Sequence, residues 1–170
     1  MKHALVFAVI ATLLGCSTPP VAAVEAVAAV VCHVQVASNG VPTGDPSCLR
    51  LRLNSAVTQA TIATTVCKTG WSAAQRKRIS SALRAKVLKA YSVANSKDII
   101  LDHSGAIELG YDPTPSIATL WPQTRAASLA KDSIENALHG LVCSKIATRR
   151  ITLDVARSRM ASWWLEPGAK

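Results

Sequence analysis

Four cysteines, Cys32, Cys48, Cys67 and Cys143, constrain this 170-residue chain more than any other feature, because of what precedes them. The chain opens on Met1-Lys2-His3, continues through eleven mostly apolar residues at 4–14, and reaches Leu13-Leu14-Gly15-Cys16, which reads as a bacterial lipobox. Eleven apolar residues cannot span a bilayer, for which about 20 are needed. The segment 1–15 therefore reads as an export signal, with Cys16 as the lipidated first residue of the mature protein and the Pro-, Ala- and Val-rich stretch 16–31 as its tether. A second cut, after Ala26-Val27-Ala28, would instead release a secreted or periplasmic protein. Either way the chain works in an oxidising compartment, where four cysteines beyond Cys16 imply two disulfides. Three pairings exist, and the spacing does not rank them. Zinc would need a CxxC knuckle, which the chain lacks; His139 and Cys143, one turn apart on an expected helix, read as a structural pair.

Without signal and tether roughly 140 residues remain, enough for one domain, 32–170, with its own core. The balance of 19 basic to 10 acidic residues, a net charge of +9, favours a polyanionic partner such as nucleic acid or anionic envelope material. It equally suits a solvated surface.

Along the chain, residues 33–47 carry Asn39-Gly40, Pro42 and Gly44-Asp45-Pro46, turn signals that predict loop. Asn54-Ser55 can cap a helix over 56–67 that stops at Gly70, with Trp71 as a core anchor. Ser72 can cap a longer helix whose Ile79, Leu83, Val87 and Tyr91 recur every four residues. Arg76, Lys77, Arg78, Arg84, Lys86 and Lys89 crowd that helix, either as a phosphate-binding face or as a solvated one. Residues 99–101 suit a strand, with 106–109 as its return partner across Ser104-Gly105. Helical spacing resumes over 126–143, and a last helix capped by Thr152 runs towards Trp164 and stops at Pro167-Gly168. The Trp163-Trp164 pair reads as core or cap packing rather than membrane insertion. The fold class expected is α+β: a mainly helical, disulfide-stabilised domain around one hairpin.

Asn54 to Ala60, Thr65-Val66-Cys67, Gly70-Trp71-Ser72, Asp102-His103, Glu108-Leu109-Gly110, Leu120-Trp121-Pro122-Gln123, Lys131-Asp132, Glu135-Asn136, Leu138-His139 and Val142-Cys143 occur in an order that resembles small exported bacterial proteins with an HNH-endonuclease-like core. The likeness runs from about Cys48 to Trp164 and implies a ββα-metal unit, a hairpin followed by a helix. In that frame His103 matches the general base that takes a proton from water, and Asp102 matches a ligand for Mg²⁺ or a similar divalent ion. Such an ion keeps several waters, so few protein ligands suffice.

Departures from the pattern are specific. Thr119 stands where HNH nucleases carry an Asn that braces the loop and orients the His. Ala106 and Tyr111 replace a Pro and a Gly, and the second metal ligand has no clear match near residues 127–130, with Ser128 or Asp132 as substitutes. Asp102 and His103 can also serve the fold alone, pairing with each other or with backbone. No GxSxG elbow, Walker A loop, dinucleotide-binding glycine motif or HExxH helix occurs, so no nucleotide cofactor is expected. Two functions follow: a weak metal-dependent nuclease acting on DNA or RNA, or a non-catalytic binding or structural module on the same scaffold, held to the membrane through Cys16.

Overall fold

The computed structural model describes residues 31–169, so the expected signal 1–15, the expected lipidation at Cys16 and all but the last residue of the expected tether lie outside the described residues. The described part is α+β, with four α-helices and two small antiparallel sheets. Two disulfides, Cys32–Cys48 and Cys67–Cys143, select one of the three pairings. Among the described residues no helix is long and apolar enough to cross a membrane.

The N-terminal stretch is mostly the loop its turn residues predict, but Gln35–Val36 (β1) pairs with Pro42–Thr43 (β2) in a two-residue ladder. The helix expected over 56–67 does not form. Turns and a 3-10 helix, Ile62–Thr64, take its place because threonine hydroxyls compete for the backbone: Thr61 Oγ1 donates to the Ala56 carbonyl (2.8 Å) and accepts from the Thr58 N–H (2.9 Å).

The long helix expected from Ser72 to Tyr91 is broken. A short helix, Trp71–Gln75 (α1), ends where Arg76 turns extended, and Ser81–Ala90 (α2) begins afresh with Ser80 as its cap, its Oγ accepting from the Leu83 N–H at 3.1 Å. Three consecutive cations without acidic partners one turn away give residues 76–78 nothing to hold them helical, and a serine next to them offers a better start. The apolar stripe survives only as Leu83, Val87 and the capping Tyr91.

Ile99–His103 (β3) is a strand, but its partner is Leu120–Thr124 (β4), with Asp102 opposite Trp121 and His103 opposite Leu120. Residues 106–109, expected as the return strand, contain the 3-10 helix Ile107–Leu109 instead. The turn leading into it is tight: a Cβ on Gly105 would overlap the Tyr111 ring, and Gly110 closes the 3-10 turn at φ +80°, a conformation glycine adopts without strain. The β-partner must therefore come from beyond this loop.

β4 runs straight into Arg125–Val142 (α3), whose first turn is capped by Thr124 Oγ1 accepting from the Ala127 N–H at 3.2 Å. Ile134, Leu138 and Val142 bury its inner stripe. Leu153–Met160 (α4) starts at Thr152 as expected but stops short, followed by the 3-10 turn Trp163–Leu165. One cluster of buried apolar residues joins all these elements, centred on Leu109, Leu120, Trp121 and Leu138. His139 Nε2 lies 2.8 Å from the Val66 carbonyl beside the Cys67–Cys143 bridge, so both members of the sequence-level pair serve the fold.

Candidate functional site

The strand–loop–strand–helix order of β3, β4 and α3 brings Asp102 and His103 to one end of the hairpin, where neighbouring side chains take different partners. Successive strand residues project to opposite faces. Asp102 accordingly reaches α3, while His103 reaches the loop between the strands.

Asp102 is held by three donors. Its Oδ1 accepts from the His103 backbone N–H (2.8 Å), and its Oδ2 accepts from Gln123 Nε2 (2.7 Å) and Lys131 Nζ (2.8 Å). Gln123 sits diagonally across the ladder on the same face, which fixes its amide: only the NH₂ end can meet a carboxylate. Lys131 is 1% exposed and also pairs with Glu135, one helical turn further along α3. Burial works against the Lys131 ammonium, yet the Glu135 and Asp102 carboxylates outweigh it and hold its pKa above the ordinary lysine value. Burial drives the Glu135 carboxyl up, helped by the nearby Asp102 charge and opposed by Lys131. The ammonium thus lies between two carboxylates as a fixed, charge-compensating cation.

His103 is held through Nε2, 3.2 Å from the Pro113 carbonyl. A carbonyl only accepts, so the neutral ring carries its proton on Nε2 and leaves the lone pair on Nδ1. Burial pushes the His103 pKa down, more than the Asp102 charge and the Pro113 contact raise it, which favours the neutral base near pH 7. The Pro113 loop is itself braced by Thr119: its Oγ1 donates to the Thr114 carbonyl (2.9 Å) and accepts from the Ser116 N–H (2.9 Å). Thr119, buried at the end of the loop, holds the segment that orients the imidazole. The HNH-like resemblance implies an asparagine for this work at that position.

The second-ligand candidates offer less. Ser128 is buried in α3, and burial together with the Asp102 charge raises the Asp132 carboxyl. Among the described residues no three His, Cys, Asp or Glu side chains are placed to share an ion. An ion at Asp102 would face the like charge of the Lys131 ammonium already on Oδ2, so the donor set as arranged does not fit a divalent metal.

The six cations expected on one helix face are dispersed by the break after Gln75. Arg76 pairs with Glu108, Lys77 Nζ lies 3.3 Å from Thr114 Oγ1, and Arg78 is exposed on the linker. Arg84 is structural: its guanidinium donates to Asn95 Oδ1 and to the Ser96 and Ile99 carbonyls, each at 3.0 Å, fixing the entry to β3. Lys86 and Lys89 remain exposed on α2.

Sequence reasoning gave no role to Gln123, Lys131, Glu135 or the Pro113 carbonyl. The Lys131 and Glu135 spacing of four on a helix with an apolar stripe was the available signal for a buried ion pair. The chain matches no protein-family model, no curated protein and no solved structure.

Proposed function

We propose that this chain is an exported, envelope-anchored module that binds polyanions on a nuclease-like ββα scaffold without hydrolysing them. The observation that carries this reading is the capture of Asp102 by three protein donors, one of them the buried Lys131 ammonium. A carboxylate committed in this way has no cheap route to a metal, since exposing either charge of a buried pair costs several kcal/mol. Positive charge for the partner comes from Lys77, Arg78, Lys86 and Lys89 at the surface and from the excess of +9 over the whole chain. Export is supported by the two disulfides, and Cys16 would supply the lipid anchor.

A weak metal-dependent nuclease is the second reading, favoured by the neutral, well-braced His103. The experiment that separates them is plasmid nicking by the disulfide-intact protein in Mg²⁺ or Mn²⁺ against chelator, beside His103→Ala, with polyanion binding measured in chelator at rising salt. The binding module gives no metal-dependent cleavage and an affinity for DNA that survives chelation but falls as salt rises. Metal-dependent nicking abolished by His103→Ala would overturn it in favour of the nuclease.

A further inference from the structure

The extended segment 50–54 packs against the loop after Gly110 along one edge only. The Arg50 N–H donates to the Ala118 carbonyl (2.6 Å), the Arg52 carbonyl accepts from the Asp112 N–H (2.8 Å) and the Asn54 N–H donates to the Gly110 carbonyl (3.0 Å), around an antiparallel bridge between Leu53 and Tyr111. In this pattern the N–H and C=O groups of Leu51 and Leu53 point the other way. They have no backbone partner among the described residues. Their side chains are 51% and 55% exposed, which is high for leucine.

Beside this edge lie two cavities of about 370 Å³ each, meeting at Leu51 and Ala161. The first is walled by Trp121, Met160, Trp163 and Trp164, the second by Leu53, Tyr111 and Arg157. The opposite side of the segment carries Arg52, which forms no salt bridge among the described residues, whereas Arg50 lines the first cavity and its guanidinium donates to the Ser47 and Leu49 carbonyls.

We propose that this edge is a docking site for an extended segment of another protein, with apolar side chains alternating with acidic ones. Unpaired in-plane donors and acceptors are satisfied along a strand only by another backbone at strand spacing, which selects polypeptide over a lipid or a small molecule. Alternation places every second side chain of the incoming strand over Leu51, Leu53 and the cavities, and the others on the side of Arg52, where Asp or Glu pairs best. A second copy of this chain fits poorly: the antiparallel register that pairs Leu51 with Leu53 of the other copy sets Arg52 against its own counterpart, and like charges directly opposite destabilise a sheet. Lys131 lines a wall of the first cavity, but the strand edge at Leu51 and Leu53 does not depend on whether His103 is active.

The probe is a fluorescein-labelled heptapeptide of alternating Glu and Val, titrated into the disulfide-intact protein while backbone amide exchange is followed by NMR. Binding should slow exchange at Leu51 and Leu53. N-methylation of one alternate set of peptide residues should weaken binding at least about tenfold, through loss of two hydrogen bonds, while the other set changes little. Arg52→Glu, a surface change, should weaken binding severalfold at low salt. Absence of binding at millimolar peptide, equal effects of the two N-methylated sets, or unchanged exchange at Leu51 and Leu53 would overturn the proposal. So would protection of those amides before peptide is added, which in a monomer assigns the edge to the chain's own residues and in a dimer to a second copy.

Discussion

Replacing Lys131 by Met tests the central feature of the site, because it removes the cation while nearly keeping the buried aliphatic volume. Lys131 is 1% exposed and holds two carboxylates. Asp102 would keep Gln123 Nε2 and the His103 N–H, but Glu135 makes no other hydrogen bond or ion pair among the described residues. Removing one partner of a buried pair costs about 3–5 kcal/mol, because the remaining charge must be desolvated alone or protonated. With a urea m-value of about 2 kcal/mol/M, a loss near 4 kcal/mol moves the unfolding midpoint by about 2 M, readable through tryptophan fluorescence at unchanged slope.

The pH dependence carries the sign. The Glu135 pKa already lies above its unfolded value through burial, and loss of Lys131 raises it further. A carboxyl raised in the folded state favours folding most below its unfolded pKa, and that contribution is lost as pH rises through the folded pKa. The Lys131→Met deficit should therefore be smaller at pH 5 than at pH 8. Adding Glu135→Leu should recover most of the loss, since no uncompensated charge remains at that position. A deficit under about 1 kcal/mol, or additive effects of the two changes, would refute the assignment of Lys131 as the compensating cation.

Other outcomes follow from the same geometry. His103 should titrate by NMR below its ordinary value of 6.5, with the neutral ring protonated on Nε2; because the unfolded chain then takes up the proton first, stability should fall on acidification below about pH 6.5, and less so in His103→Gln. Thr119→Val should lower stability by about 1–2 kcal/mol by unbracing the Thr114 to Ser116 turn, and should shift the His103 titration, whereas Thr119→Ser should preserve both. The Cys67–Cys143 bridge closes 76 residues of chain and Cys32–Cys48 only 16, so replacing both cysteines by Ala should cost about 4.5 kcal/mol in the first case and about 3 in the second, measured by denaturant unfolding. The reverse order would contradict the loop-entropy account.

Signals written into local chemistry were legible before any coordinates. Thr152 caps α4, the apolar spacing over 126–143 yields α3, and residues 99–101 form part of a strand, because each rests on near neighbours in sequence. The errors came where one local preference had to be weighed against another. The period-four stripe from Ile79 to Tyr91 is present in the sequence, yet the Arg76-Lys77-Arg78 run and the Ser80 cap decide where helix stops and restarts. Threonines at 58, 61, 64 and 65 removed a helix that hydrophobic spacing alone would allow.

The strand partner and the site share a deeper reason for being hard to read: both are set by contacts across long stretches of chain. Ile107 to Leu109 alternates well enough for a return strand, but β4 offers five residues in register directly before a capped helix, and tertiary pairing prevails. In the same way the adjacent Asp102 and His103 suggest a base beside a metal ligand, while the Lys131 contact, 29 residues on, is hidden in the sequence. A lysine in sequence reads as surface charge by default, since lysines are almost never fully buried unless paired. Here two carboxylates, one from β3 and one from α3, make that burial stable, and the ammonium already supplies positive charge at Asp102. His103 is oriented by separate contacts, a threonine bracing the loop and a proline carbonyl holding the ring. The two residues are therefore separable: the proposed nuclease would need both, whereas the proposed binding module needs neither.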